Sequence, residues 1–542
     1  MVFRKGFRDS ILLAIHIYKP IIYVIFNQLE MSNIKKIVTN KVAECVRRLR
    51  SPEKYKSLDF LCEYLGKEVY LNDKAQPLGK MIVTQVCTWH SSHFSKNSIC
   101  LYYINPVYGK TLCGEYGEEV LKLASRNGAK VFITDKAIDN VPCIVSNNPL
   151  LTYAKLCRYY RELSTVSITA VSGSIGKTTV KNMIASVYAK KYKTVFSEAN
   201  TNTKTKVGFA IQHIPSKAEK MIQEVHEGEP GETQYISVML NPNVYVITTI
   251  DKSHLEFFES ADKIVEEVCS FTKNMPKEGK VIVNSDEFER YDLLNGRTVI
   301  KVSVSKADAD FYSDTINIDE DGLTFYVNVK KDGGRYFVRL NNIYAVHNVQ
   351  CALLAFAAGY CEGVEPEKIV KGLADYKTEG VRQNIMRTKD GVVVYADCYN
   401  AVAKSMKSAI DACDLIPIKG KRIAVLGDVE EVGEMSEAMH KEIIEYVNSS
   451  KFDELLLVGE KMKKAIETSS VRDTLDVSWN TTNDELVKRV KRVAKNGDLV
   501  LFKASHSGNL DKCIVKVWPE LKKDVAVYGI AFNKWITKSL FY

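Results

Sequence analysis

The 13 cysteines of this 542-residue sequence form no C-x-x-C pair and no repeating spacing, and their number is odd. That pattern excludes a disulfide framework and points to a reduced, cytoplasmic protein. Basic residues are equally unorganised. The formal charge is +9, yet there is no RGG tract, no long basic run and no zinc-finger spacing, so nothing supports a nucleic-acid partner, and an anionic ligand accounts for the mild excess more simply. No G-x-G-x-x-G follows a strand-like run, which argues against a dinucleotide cofactor. Internal repeats and low-complexity segments are also missing. Apolar residues make up 46% and charged residues 26% of the chain, as in folded soluble proteins. The length exceeds what one core can organise and predicts three or four domains.

The first thirty residues hold the longest apolar run, Ile11 to Leu29, preceded by Arg4, Lys5 and Arg8 and interrupted by His16, Lys19 and Pro20. A lysine and a proline at its centre argue against a membrane span, because a charge at the bilayer midplane is costly. No small-residue cleavage site follows. The run is read as a helix or helix pair packed on the protein, with membrane-surface contact through residues 11–29 as the alternative.

The stretch that organises the rest is Ser167 to Lys190, SITAVSGSIGKTTVKNMIASVYAK. A β-branched run stops at a glycine-rich turn and restarts as a helix-forming run at Thr178. Such a turn brings free backbone N–H groups, the positive end of a helix dipole and a lysine amine to one point, which suits a polyphosphate. Gly173, Ser174, Ile175, Gly176, Lys177, Thr178 and Thr179 are therefore the candidate phosphate-binding residues. Lys177 is placed for the β- and γ-phosphates of ATP and the Thr178 hydroxyl for Mg²⁺. Val171 stands where the eight-residue pattern has glycine, so this is the shorter G-x-x-G-K-T loop.

Taken in order, residues 1–32 form the apolar extension. Residues 33–150 read as a small α/β domain, with helical spacing from Asn33 to Tyr70, strands at 81–87, 99–104 and 130–134, and a helix at 118–127. Residues 151–378 alternate strand and helix after the phosphate loop and imply a mostly parallel sheet with ligand at the strand carboxyl ends. Further strands are expected at Gln234 to Val238, Val244 to Ile250 and Lys280 to Asn284. Asp251, His254 and Glu256 lie just past the second of these, where polar groups face a phosphate site. Residues 379–525 carry strands at 392–397, 422–427, 454–459 and 498–503, with a helix from Ser436 to Ser449, and read as a second doubly wound domain. Residues 526–542 form an apolar, basic tail.

Nine motifs stand in a fixed order along these blocks: SGSIGKTT (172–179), EANTNTKTKVG (198–208), EVHEGEPGE (224–232), TTIDKSHLEFFES (248–260), HNVQCALLA (347–355), GVRQNI (380–385), DCYNAVAKSM (397–406), VLGDVEEVGEMSEAMH (425–440) and LFKASHSGNL (501–510). On these the chain resembles the Mur ligases, most of all those that add D-alanyl-D-alanine to a UDP-muramoyl peptide. The resemblance implies an α/β fold of three domains: an N-terminal substrate domain, a central P-loop ATPase with a parallel sheet, and a C-terminal Rossmann-like domain. It implies an ATP- and Mg²⁺-dependent cytoplasmic ligase, read here as a monomer, that activates a carboxylate as an acyl phosphate and couples it to an amine or dipeptide. It also implies that Lys177, His254 and Arg382 serve catalysis and that Thr178, Glu224 and His254 hold the metal. Asn348 would contact adenine, Arg382 a phosphate, and Asp397 the ribose.

The pattern breaks at several positions. The family's carbamylated lysine falls at Val268, with Glu266 and Glu267 as neighbouring sources of negative charge. The N-terminal D-S-R element is replaced by Trp89-His90-Ser91-Ser92-His93-Phe94. The last asparagine of H-N-V-x-N is Cys351, D-D-x-Y-N-A-N-P reads Ala396 to Ala403 as ADCYNAVA, and K-G-S-R reads Lys503-Ala504-Ser505-His506. These losses leave two further readings: a related ligase joining a non-peptidoglycan acid and amine, and a nucleotide-binding scaffold without ligase activity.

Overall fold

The computed structural model describes residues 57–67, 69–72, 78–88, 97–102, 104–105, 110–111, 117–197, 201–250, 258, 260–378, 380–430 and 436–526. The calls on residues 1–32, on His254 with Asp251 and Glu256, on residues 89–94 and on the tail from 527 lie outside the described residues. The chain divides into two compact units, one ending at Pro149 and one running from Leu150, which also takes in Val86–Thr88.

In the first unit, Val69–Asn72, Cys143–Ser146, Ala129–Thr134 and Ser98–Leu101 are sheet neighbours in that order, the first pair antiparallel and the others parallel. Helix Gly117–Arg126 lies where helical spacing predicts it. Tyr70, read as the end of a helical stretch, sits instead in a strand. The helix beginning at Leu58 ends at Leu65, because Gly66 turns the chain with φ +84° and takes up the terminal carbonyls of Cys62 and Glu63, a glycine C-cap.

The second unit contains two sheets. The larger has nine strands in the order Gly334–Asn341, Gly322–Val329, Phe311–Asp319, Thr298–Ser303, Lys280–Asn284, Val244–Ile247, Ser167–Ser172, Lys220–Glu224 and Thr194–Phe196. It is parallel from Thr194–Phe196 through Phe311–Asp319 and antiparallel over the last two strands. Ser167–Ser172 is therefore an interior strand, and its burial on both faces accounts for the β-branched and apolar residues of its centre. Helix Lys177–Tyr188 buries Val180, Met183, Ile184, Val187 and Tyr188, the spacing of one helical face. Each such side chain contributes about 1.5–3 kcal/mol of transfer free energy. Helix Asn348–Cys361, buried through most of its length, packs in the same core.

One expected strand is a helix. Gln234 to Val238 belongs to helix Glu232–Leu240, which starts after Gly231 at φ +85° and buries Thr233, Ile236, Ser237 and Leu240. The apolar run YISVML is ambiguous between the two states at this length, and because Ile236 to Leu240 are all buried in the helix, no periodicity in the sequence marks it as one. The strand that does occupy this part of the sheet, Lys220–Glu224, is short and flanked by charge.

The smaller sheet has six strands in the order Asn384–Arg387, Val393–Asp397, Leu499–Lys503, Arg422–Gly427, Glu454–Val458 and Asp476–Asn480, parallel except for the first pair. Its four interior strands are the four read from apolar runs. The two edge strands carry polar residues and were not. Helix Ser436–Tyr446 gives way to a single 3₁₀ turn, Val447–Ser449.

Candidate active site

The turn after Ser167–Ser172 is held open by two glycines. Gly173 has φ +122°, and a Cβ there would stand 2.3 Å from Thr248 Oγ1. Gly176 has φ +87° and precedes the first residue of helix Lys177–Tyr188. Both backbone conformations favour glycine. The N–H groups of Ser174 and Ile175 donate to the Thr249 carbonyl at 2.8 and 3.1 Å. These two therefore lock the turn to the neighbouring strand rather than pointing donors at a ligand. The helix starts at Lys177, with Val180 N donating to Gly176 O at 2.9 Å. The N–H groups of the helix's first turn, Lys177 to Thr179, have no intrahelical acceptor and supply the anion-binding end.

Strand Lys220–Glu224 and the segment that follows it deliver two carboxylates to this turn, Glu224 and Glu227. Glu224, 3% exposed, accepts from Thr178 Oγ1 at 2.8 Å and from Asn202 Nδ2 at 3.0 Å, and its N–H donates to Ser197 Oγ at 3.0 Å. Lys181, 1% exposed, donates to the Ser197 carbonyl at 2.6 Å and lies 4.0 Å from the Glu224 carboxylate. Burial alone would raise the Glu224 carboxyl. The charges of Lys181, Arg382 and Lys177 and the Thr178 hydrogen bond outweigh it and hold the group below its ordinary value. Glu227, fully buried, meets Lys177 Nζ at 2.5 Å and accepts from Ser172 Oγ at 3.1 Å, while the same amine donates to Gly173 O at 2.5 Å. Neither Glu227 nor Lys181 is singled out in the sequence. Glu227 lies inside the motif at 224–232 and Lys181 inside the stretch Ser167–Lys190, and only their burial marks them.

Arg382 reaches the site from the other sheet's side of the unit. Its guanidinium carbon lies 3.8 Å from the centroid of the Tyr399 ring, and that ring is 5.2 Å from His506. Its charge helps to lower the Glu224 carboxyl, so Arg382 stands within electrostatic reach of that group. The other two candidates from this region are more internally engaged. Asn348, 1% exposed, donates from Nδ2 to Ala345 O at 3.1 Å and to Gln383 Oε1 at 2.9 Å. Asp397 accepts from Gln383 N at 3.2 Å and pairs with the buried Lys503 at 2.9 Å. Gln383 Nε2 also donates to His347 Nε2 at 2.9 Å, so the proton sits on His347 Nδ1, which donates to Ser408 Oγ at 2.7 Å. Burial pushes the His347 imidazole down to about 4, against the pull of Asp397. Asn342, Tyr344, Asn348, Gln383, Ile385 and Tyr395 are among the residues lining a narrow crevice beside this network.

Val268 is fully buried in helix Ala261–Ser270. The two neighbouring glutamates do not replace a lysine-borne anion. Glu267 accepts from the N–H groups of Gly231 and Thr233 at 2.9 Å each and from Thr233 Oγ1 at 2.7 Å, capping the start of helix Glu232–Leu240. Glu266 is on the surface, paired with Lys263 at 2.8 Å. Turning the helix to free Glu267 would strip three donors from a buried carboxylate.

A model of the Mur ligase middle domain matches residues 171–359, and one of the Mur ligase glutamate ligase domain matches residues 381–506. The chain belongs to the Mur ligase family. The middle-domain match covers the phosphate loop and both carboxylates, and the second match begins one residue before Arg382. Among Mur ligases, the chain is 28% identical over 404 residues to the UDP-N-acetylmuramoyl-tripeptide--D-alanyl-D-alanine ligase of Bacillus subtilis, covering 73% of this chain and 87% of the relative. It is 25% identical over 351 residues to the Escherichia coli enzyme of the same name, covering 64% and 76%. Its fold is that of crystalline MurF from Acinetobacter baumannii, with a TM-score of 0.71 at 21% identity over 85% of this chain and 98% of that one. MurF from Thermotoga maritima, crystallised with ADP, superposes with a TM-score of 0.67 at 21% identity over 81% and 98%. Among the described residues, no helix is long and apolar enough to cross a membrane.

Proposed function

We propose that this Mur ligase joins a carboxylate to an amine at the expense of ATP, and that it adds D-alanyl-D-alanine to a UDP-muramoyl tripeptide. The observation that carries the reading is the pairing of Thr178 with Glu224 beside Lys177, at the mouth of a glycine turn matched by the family's middle domain. The curated relatives named for this reaction supply the substrates.

A carboxylate resists amines because its leaving group would be oxide. Transfer of the γ-phosphoryl group to it makes an acyl phosphate, and the amine then attacks the acyl carbon and expels phosphate. Charge concentrates on phosphoryl oxygens in the first step and on the tetrahedral oxygen in the second. Lys177, the first N–H groups of helix Lys177–Tyr188 and Arg382 are the donors that would meet that charge. The hydroxyl of Thr178 and the carboxylate of Glu224 are hard oxygen ligands suited to Mg²⁺, which supplies charge neutralisation on the phosphates. His254 is proposed as a further metal partner on the motif alone. Asn348 would use its amide oxygen toward adenine, since both Nδ2 hydrogens are engaged, and Asp397 would serve the ribose from its position against Lys503. The domain limits 33–150, 151–378 and 379–525 belong to the same proposal. A monomer acting in the cytoplasm completes it.

The test is incubation with ATP, Mg²⁺, the UDP-muramoyl tripeptide and D-alanyl-D-alanine, following phosphate release and product mass. Product of the expected mass supports the assignment. No turnover there, with amine-dependent ADP formation from another acid, moves it to a related ligase, which the His506 departure in K-G-S-R favours. ATP binding without turnover on a broad panel of acids and amines removes the ligase reading.

A further inference from the structure

The phosphate-loop lysine carries a fixed carboxylate partner. Glu227 is fully buried, its Oε1 lies 2.5 Å from Lys177 Nζ, and its Oε2 is tied to Ser172 Oγ at 3.1 Å. Lys177 is itself only 13% exposed. A terminal phosphate oxygen seeking this amine must compete with Glu227. The same chain segment sends Glu224 onto Thr178 at 2.8 Å. Two carboxylates three residues apart thus cap, one each, the two loop side chains that a metal-bound polyphosphate needs.

From this geometry we infer that Glu227 is a positioning residue that makes polyphosphate binding conditional on a divalent cation. The inference rests on the reading of the turn as a nucleotide site. Glu227 is held by Ser172 and enclosed on all sides, so it stays within a few ångströms of the phosphates once they engage Lys177. Like charges at that distance in a partly desolvated site repel strongly. A divalent cation held by Glu224 and Thr178 offsets that repulsion. A nucleotide arriving without one meets two carboxylates and a lysine already neutralised. A simple buried ion pair would contribute to stability alone and leave the cation dependence untouched.

The experiment is isothermal titration of the full chain with ADP, in Mg²⁺ and in EDTA, for the wild type, Glu227→Gln and Glu227→Asp. Removing the charge is expected to raise metal-free affinity by about tenfold or more and to narrow the Mg²⁺-to-EDTA ratio by a similar factor. The aspartate keeps the charge but withdraws it by one methylene, so its metal-free affinity rises by only about two- to threefold. Should Glu227→Gln fail to fold, the aspartate alone gives the sign, and an unchanged metal-free affinity in it overturns the inference. An unchanged Mg²⁺-to-EDTA ratio in a folded Glu227→Gln also overturns it. Absence of ADP binding to the wild type in both buffers instead removes the nucleotide reading, and the inference falls with it.

Discussion

Replacing Lys177 by alanine tests chemistry and structure at once, and the geometry around Glu227 makes the two separable. The lysine amine is a charge partner of a carboxylate with no solvent exposure. Its removal leaves Glu227 with the Ser172 hydroxyl and no neighbouring cation at hydrogen-bond distance among the described contacts. Deleting one member of a buried pair costs about 3–5 kcal/mol, because the remaining charge is desolvated without compensation. For a cooperatively unfolding central region of roughly two hundred residues, that corresponds to a fall in midpoint of roughly 6–20 °C. Turnover falls as well, by about a hundredfold or more, as for loss of one preorganised donor to a developing oxyanion. The double variant Lys177→Ala/Glu227→Gln removes the stranded charge. It recovers most of the lost thermal stability and none of the activity. Differential scanning calorimetry and a coupled phosphate-release assay on the four corners of the cycle read both effects. A single variant that melts with the wild type, or a double variant no more stable than the single, refutes the account of Glu227 as a buried anion dependent on Lys177.

Glu224 is held below its ordinary value of 4.5, so its contribution to stability is present above that pH and is lost as the pH falls through the folded value. Glu224→Gln should flatten the acid limb of the thermal midpoint against pH, and it should weaken Mg²⁺-dependent ADP binding. His347 works with the opposite charge: its folded value near 4 lies below the ordinary 6.5, so the native state loses stability as the pH drops from 6.5 toward 4. His347→Gln should remove that slope, measured as the melting temperature across the window, and a slope that persists assigns it to another group. Arg382→Ala should lower kcat by about a hundredfold with a much smaller change in ADP affinity. Tyr399→Leu removes the ring beneath the guanidinium and should cost about two- to fivefold in kcat, the worth of an exposed cation–π contact.

The buried parts of the fold were legible because burial writes unbroken apolar runs. Ser167–Ser172, Arg422–Gly427, Glu454–Val458 and Leu499–Lys503 are interior strands of parallel sheets, and each reads as a β-branched or leucine-rich stretch. Edge strands such as Asn384–Arg387 and Asp476–Asn480 need only one covered side and were invisible. Helix Glu232–Leu240 was misread because nine apolar-rich residues satisfy either period until the partners are known. In the site, the G-x-x-G-K-T turn was legible since glycine, lysine and threonine are each required there for a stated reason. Glu227 was not, because nothing local distinguishes a solvated glutamate from one enclosed against a lysine fifty positions earlier. The engagement of the Ser174 and Ile175 N–H groups by Thr249 was likewise beyond reach, being a contact made across strands.

That same contact decides how a nucleotide can enter. With Gly173 pressed against Thr248 and two successive amides anchored on Thr249, the glycine turn has no slack and behaves as a rigid sill. Arg382 leans on the Tyr399 ring and, among the described residues, has no comparable pair of backbone anchors, so on the proposed reading the yielding side of a nucleotide site is expected to be Arg382's. Substitutions at Tyr399 are then expected to change how fast a nucleotide leaves, and substitutions at Gly173 whether it is held at all.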